Sequence, residues 1–144
     1  MKIALTFFFA ALLSKGCNQA NQNIDKATIV YHVTTRGFFR HVTLSKEGVK
    51  VYKDRNLKDS PEVVQINSNE RELLANAFKK LNLDEIASYK APSEKRFYDG
   101  AAIATLIITY NGTTYESQPF DHKNPPTQLK QLVQFLEGYT IENE

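Results

Sequence analysis

Residues 28–53 read TIVYHVTTRGFFRHVTLSKEGVKVYK, and this stretch decides the fold. Apolar and polar side chains alternate over 28–35, over 38–45 and over 49–53, and a period of two is typical of strands with one buried face. Turn-forming residues separate the three segments at Arg36-Gly37 and at Lys46-Glu47-Gly48. The stretch therefore predicts a three-stranded antiparallel meander.

Two helices are predicted downstream of the meander. Asn67 and Glu70 have the spacing of a capping box, in which each side chain accepts from a backbone N–H near the helix start. The apolar residues that follow recur on one helical face: Leu73, Leu74, Ala77, Phe78 and Leu81. A last helix begins at Pro125-Pro126, faces inward through residues such as Leu132 and Leu136, and ends at Gly138.

A hairpin is predicted between these helices. Asn111-Gly112 is the dipeptide typical of a two-residue type I′ turn, and it separates the apolar segment 101–110 from the return segment 113–118. The order of three strands, helix, two strands and helix favours an α+β fold. We expect a five-stranded antiparallel sheet with both helices packed on one face, because that arrangement buries both apolar helix stripes.

The N-terminus has the features of a signal peptide. Lys2 precedes the uncharged apolar segment 3–13, which has the length of a signal h-region, about 7 to 15 residues, and is too short to span a bilayer as a helix. Ser14 and Gly16 are small residues that suit a cleavage site before Cys17. We expect residues 1–16 to be a signal peptide.

This N-terminal region resembles a bacterial lipoprotein precursor, in which a small residue precedes a cysteine that becomes the lipidated first residue of the mature chain. The resemblance rests on residues 1–17 and implies lipidation of Cys17, membrane anchoring and a location in the bacterial cell envelope. It would also account for a single cysteine in an exported chain. The alternative is ordinary secretion with a free thiol at Cys17.

Polar residues dominate the segment after Cys17, and such a composition buries too little surface to offset the entropy of ordering. We therefore predict a lipidated cysteine and flexible tether over residues 17–27 and a single domain over residues 28–144.

Charge gives no support to a nucleic-acid partner. The chain has 18 Lys plus Arg and 16 Asp plus Glu, and two of the lysines, Lys2 and Lys15, precede Cys17. The mature chain is therefore formally neutral, whereas nucleic-acid binding needs clustered cations.

One group of polar residues is a candidate site. Extending the predicted hairpin register places Ala102 opposite Asp121, which would gather Arg96, Asp99, Asp121 and His122 at one end of the sheet. Two carboxylates and an imidazole could hold a divalent ion or perform acid-base chemistry. The competing interpretation is structural: Asp99 forms a turn, Asp121 pairs with Arg96 or caps the last helix, and His122 is a solvated loop residue.

A second candidate is a protein-contact site at Phe38, Phe39 and Arg40. Adjacent residues of a strand point to opposite faces, so if one phenylalanine enters the core the other is available on the outer surface. An aromatic side chain flanked by arginine has the composition of an interface hot spot.

Other catalytic signals are missing from the sequence. There is no Gly-x-Ser-x-Gly motif and no glycine-rich phosphate loop, and we predict neither a metal nor a cofactor. His32 and His41 lie on predicted strands, on the face opposite the main apolar one.

The order of elements in residues 28–144 is similar to that of emfourin-type inhibitors of thermolysin-like metalloproteases, although no inhibitory residue can be transferred from this resemblance. We expect a membrane-tethered, non-catalytic envelope protein with a small binding domain, possible protein partners and no enzyme activity. The alternative is a small envelope enzyme or metal-dependent protein that uses Asp99, Asp121 and His122.

Overall fold

The computed structural model describes residues 21–139, in which an antiparallel sheet packs against two α-helices. The helices are α1 (Ser68–Lys79) and α2 (Lys130–Gly138). The strands are β1 (Ala27–Thr34), β2 (Phe39–Ser45), β3 (Gly48–Tyr52), β4 (Glu62–Val64), β5 (Ile103–Tyr110), β6 (Thr113–Glu116) and β7 (Phe120–Asp121). The predicted α+β class and antiparallel sheet are confirmed.

The predicted number of strands is wrong, because the sheet has seven strands rather than five. Its order is β4-β3-β2-β1-β5-β6, and β7 also pairs with β5. The pair of β1 and β5 joins the meander to the hairpin. The two additional strands, β4 and β7, span three and two residues, which is too short to give an alternation signal.

The core lies between one face of the sheet and the helices. In β1 the side chains of Ile29, Tyr31 and Val33 are fully buried, as the alternation predicts. They belong to the same apolar cluster as Phe78 of α1 and Leu136 of α2. The capping box predicted for α1 is present, with Asn67 and Glu70 each accepting from the other's backbone N–H.

The hairpin between β5 and β6 has the predicted turn. Asn111 has a φ of 48° and Gly112 a φ of 81°, the left-handed values that a type I′ turn requires at both central residues. Ile107 pairs with Glu116, so the register next to the turn is the predicted one.

Farther from this turn the register shifts by one residue. Asp121 pairs with Ile103, whereas a continuous hairpin would place it opposite Ala102. The shift occurs between Ser117, whose hydroxyl accepts from the Leu106 N–H, and β7. Pro119 lies in this interval and has no N–H to donate, so the ladder is interrupted and accommodates an extra residue as in a β-bulge.

The N-terminal segment of the described chain belongs to the domain. Ile24 lies in a 3₁₀ turn and is only 8% exposed, within the apolar core. Gln22 Nε2 donates to the Leu81 carbonyl at 3.2 Å, and Arg71 Nε donates to Asp25 Oδ1 at 3.0 Å. The predicted flexible tether is therefore wrong for residues 21–27. The predicted signal peptide, Cys17 and residues 18–20 lie outside the described residues.

Candidate functional site

Both candidate groups from the sequence lie at one end of the sheet. Thr34 ends β1 and pairs with Phe39 at the start of β2 and with Ile103 at the start of β5. Asp121 of β7 pairs with the same Ile103. This end therefore carries the β1–β2 turn, the 3₁₀ turn Lys95–Tyr98 that contacts β7, and the chain after β7.

Asp121 fastens the loop that precedes β5. The residue is 1% exposed, and its carboxylate accepts from Ser93 Oγ at 2.6 Å, from the Lys95 N–H at 2.8 Å and from the Arg96 N–H at 3.0 Å. Arg96 Nη1 also lies 3.2 Å from Asp121 Oδ1. Burial alone would raise the pKa of Asp121, but these donors outweigh it and lower the pKa to about 2. Asp121 is thus an ionised structural anchor.

Asp99 lies apart from this anchor. It ends the 3₁₀ turn in a left-handed conformation, with a φ of 56°, and is exposed. Within residues 21–139, no hydrogen bond or ion pair joins Asp99 to Asp121. The structure therefore brings Arg96 to Asp121, as the structural interpretation predicted, and leaves Asp99 outside the cluster.

His122 lies on the side of the chain opposite to Asp121. Its Nδ1 is 2.8 Å from the hydroxyl of Tyr31, and that hydroxyl is 3.0 Å from Glu137 Oε1. The same Glu137 oxygen accepts from the Lys123 N–H at 2.9 Å. The two side chains bind different partners, Asp121 the loop before β5 and His122 the Tyr31 hydroxyl, so they do not converge on one ligand.

The protonation pattern of this network follows from its donors. The Tyr31 O–H donates to Glu137 Oε1, so the tyrosine oxygen accepts from His122 Nδ1–H. Burial, with a smaller effect from Lys123, lowers the pKa of His122 to about 4, so the imidazole is neutral at pH 7. Burial and the Glu137 carboxylate raise the pKa of Tyr31.

Sequence reasoning placed Tyr31 in the core but missed its polar partner. Glu137 lies one turn beyond the buried Val133 of α2, and it is itself 9% exposed. A glutamate on the inward side of an amphipathic helix was the available signal for a buried polar contact.

Neither phenylalanine of the predicted contact site is open on the surface. Phe39 is 8% exposed, and its ring packs on His32. Phe38 is half-buried between His122, whose ring centroid is 5.6 Å away, and the Arg40 guanidinium, which lies 5.0 Å from the Phe38 centroid. Phe39 is thus covered by its neighbours, whereas Phe38 keeps part of its ring accessible beside Arg40. Whether this group contacts a partner stays a prediction.

Arg55 holds the β1–β2 turn. Its guanidinium donates to Thr34 Oγ1 at 2.9 Å, to the Thr35 carbonyl, and at longer distance to the carbonyls of Arg36 and Phe38. It also lies 5.7 Å from the centroid of the Phe39 ring. This contact could not be foreseen from the sequence, because residues 53–61 have the composition of an ordinary surface loop.

An open depression of about 490 Å³ lies beside this turn. Its charged lining residues are Arg36, Arg40, Lys53, Asp54 and Arg55, and we call this surface the arginine end. Within residues 21–139, Arg36, Arg40 and Arg55 have no ion pair with a carboxylate. The sequence therefore pointed to the arginines that flank Phe38 and Phe39, but missed Lys53 and Arg55, which the fold places beside them.

Large apolar side chains are exposed at the same end of the sheet. Phe97 and Tyr98, in the 3₁₀ turn next to β7, are each 71% exposed. Ile103 at the start of β5 and Leu57, two residues after Arg55, are also exposed. We call these four residues the apolar rim.

The remaining histidines, His32 and His41, meet edge to face on the outer face of the sheet. The His32 and His41 ring centroids are 5.8 Å apart, and His41 also contacts Tyr52. Burial lowers the pKa of both imidazoles. In the part of the chain that the structure describes, no three His, Cys, Asp or Glu side chains are grouped so that they could hold a metal ion.

Comparison of the chain with protein-family models, curated proteins and solved structures found no match. Among residues 21–139, no helix combines the length and the apolar character needed to cross a membrane.

Proposed function

We propose that this chain is a lipid-anchored protein of the bacterial cell envelope, and that its domain binds another molecule without catalysis through the arginine end. The observation that carries this proposal is the position of that surface. It lies at the end of β1 farthest from the N-terminal segment, which leads to Cys17.

The separation of the two ends follows from β1. The strand begins at Ala27, opposite Tyr110, and the Asn23 N–H donates to the Tyr110 hydroxyl at 3.2 Å. Its eight residues span about 27 Å, and the β1–β2 turn lies at the far end. An acyl chain on Cys17 would hold the domain by its N-terminal end and leave the arginine end directed away from the anchoring membrane.

A binding role is supported by how the polar groups at this end are used. Asp121 is committed to the loop that precedes β5, and His122 to Tyr31. Arg36 is exposed and has no acceptor within the described residues. Cationic and apolar groups facing solvent are suited to recognition, whereas acid-base catalysis needs a titratable group that reaches a substrate.

The anchor is tested with Cys17→Ser. We expect this variant to lose fatty-acid labelling and to leave the membrane fraction, because only the thiol can be acylated. Asn18→Ser is the matched control and keeps both properties. A Cys17→Ser chain that is still labelled would refute lipidation.

Binding is tested with a photo-crosslinking amino acid placed in living cells at position 36 or, as a control, at position 111. We expect a discrete adduct from position 36 that is lost when Arg40→Gln is added, and none from position 111 at the opposite end. Equal adducts from both positions, or none from position 36, would contradict binding through the arginine end.

A further inference from the structure

We infer that the partner of the arginine end is an acidic segment of another protein, which places carboxylates over the arginines and apolar side chains on the apolar rim. This inference rests on the proposed function and adds the chemistry of the ligand. It is carried by the charges and the fixed geometry of the surface, and by the exposed apolar residues at the same end of the sheet.

The positive charge of the depression favours an anionic ligand. Four of its lining residues are cations, and Asp54 is its one carboxylate, which already accepts from the Lys58 N–H at 3.1 Å. Lys53 lies 3.7 Å from Glu62, whereas the arginines have no such pair within residues 21–139. An arginine presents several N–H donors in a planar fork that matches a carboxylate. Arg55 donates to the β1–β2 turn, so Arg36 and Arg40 are the arginines of this depression that favour carboxylate ligands.

Arg40 in particular has unused donors. Its Nη1 donates to the Phe39 carbonyl at 2.9 Å, while its buried Nε has no acceptor in the described structure. A buried donor without an acceptor costs about 1–3 kcal/mol. A carboxylate that approaches from solvent would not reach this buried Nε, but it would stabilise the guanidinium through its charge, which supports an anionic partner close to Phe38.

The surface is held in place before any ligand arrives. Arg55 fixes the carbonyls of the β1–β2 turn, and the Thr35 N–H donates to the Phe38 carbonyl at 2.8 Å. Arg40 is braced against the Phe38 ring. A surface whose backbone is already fixed loses less conformational entropy on binding.

The apolar rim favours a protein over a purely phosphate-bearing surface. Phe97 and Tyr98 are large, exposed aromatic residues, and the Arg96 guanidinium lies 4.3 Å from the Phe97 centroid. Aromatic residues and arginine are enriched together at the energetically dominant positions of protein interfaces. The anchoring membrane is disfavoured as the ligand because the N-terminal segment leaves the domain at the opposite end of β1.

The test uses the full chain in nanodiscs of neutral phosphatidylcholine and three probes. The first is a labelled synthetic peptide in which glutamates alternate with leucine and tyrosine. The second is the same peptide with glutamine in place of glutamate, and the third is vesicles of phosphatidylglycerol. Two variants change the proposed binding surface: the double variant Arg36→Gln with Arg40→Gln, and Phe97→Ser in the apolar rim. The control is Lys130→Gln, which removes one positive charge on α2, away from that surface.

We expect fluorescence anisotropy to detect binding of the glutamate peptide, with affinity at least about tenfold lower for the double arginine variant, since two charge-assisted contacts are lost. Phe97→Ser should also weaken binding, whereas Lys130→Gln should not. The glutamine peptide should bind much more weakly, and added salt should weaken the glutamate peptide's binding.

Other outcomes would overturn the inference. Recruitment to phosphatidylglycerol vesicles without peptide binding would identify an anionic membrane as the ligand. Binding of both peptides alike would show that charge is not recognised. Failure of all three probes, while position 36 still gives its adduct in cells, would refute an acidic partner and leave the proposed function standing. Failure of the adduct as well would refute both.

Discussion

At the scale of single residues, two neighbours in the sequence have separate roles. Asp121 faces the loop before β5 and binds its backbone N–H groups, while His122 faces Tyr31 and Glu137. Their adjacency suggested a shared site. Their different partners separate them: Asp121 holds the loop before β5, and His122 packs on Phe38 beside the arginine end.

Asp121→Asn should lower the free energy of unfolding by about 3 kcal/mol, because it leaves the guanidinium of Arg96 buried without its counter-charge. Urea unfolding measures the change. Asp99→Asn is the matched control: it is exposed and should change stability by less than about 0.5 kcal/mol. Equal effects at the two positions would contradict the assignment of Asp121 as the anchor.

Lowering the pH should remove the contribution of the ionised Asp121 carboxylate to the free energy of unfolding. Its folded pKa of about 2 lies below the unfolded value of about 3.9. The stabilisation from ionised Asp121 is therefore complete at a pH above the pKa of the unfolded chain. It is lost as the pH falls toward the pKa of the folded chain. Unfolding free energies measured down this range should decline more steeply for the wild type than for Asp121→Asn.

His122 should make stability depend on pH in a higher range. Its pKa is about 4 in the folded chain and 6.5 when unperturbed, so the unfolded state takes up the proton first as the pH falls. Stability should then fall between these values by on the order of 2 kcal/mol. Groups that face the imidazole are the Tyr31 hydroxyl and the Glu137 carboxylate.

The measurement for His122 is urea unfolding across this pH range with His122→Gln, which should flatten the decline. The pKa values of His32 and His41 are lowered too, so the double variant His32→Gln with His41→Gln is the control and should retain the step due to His122. A decline that persists unchanged in His122→Gln would contradict the prediction.

At the scale of secondary-structure elements, the alternating strands and the capped helix follow from local sequence, whereas the short strands do not. β7 forms because the chain after Pro119 returns to the unpaired first part of β5, and β4 pairs with the edge of β3. The β1–β2 turn also depends on a contact with a distant part of the chain, because Arg55, which follows β3, donates to Thr34 at its start.

Arg55→Gln should loosen that turn. The guanidinium's donors to the turn carbonyls are lost, so we expect stability to decrease by about 1 kcal/mol and the Thr35 amide, which donates to Phe38, to exchange with solvent faster. Hydrogen exchange measured by NMR reports this amide directly. In the Arg36→Gln control its protection should be unchanged, because the Arg36 side chain does not bind the turn.

At the scale of the whole molecule, the domain has two different ends. The N-terminal segment packs beside Tyr110 and α1, while the arginine end lies across the length of β1. The polar composition of residues 18–27 indicated a free tether. Burial of Ile24 against the core shows instead that the folded domain extends to this segment, which fixes the direction from which the chain arrives.

Ile24→Ala tests whether this segment is part of the domain. Removal of a buried isoleucine side chain should cost about 2–3 kcal/mol in the free energy of unfolding, measured with urea. The neighbouring Lys26 is exposed, and Lys26→Ala should cost less than about 0.5 kcal/mol. A value near zero for both variants would show that residues 21–27 behave as a tether.

Features that depend on near neighbours along the chain could be read from the sequence: the alternation of β1 to β3, the capping box at Asn67 and the type I′ turn at Asn111-Gly112. Their signals are local because the interactions that form them span a few residues. Pairing of Arg96 with Asp121 was one of two structural roles that the sequence left open for that aspartate. The seven strands, the separate partners of Asp121 and His122, and the arginine end depend on the tertiary structure. Those features require contacts between residues far apart in the chain, and a one-residue shift in the β5 ladder is enough to change which of them meet.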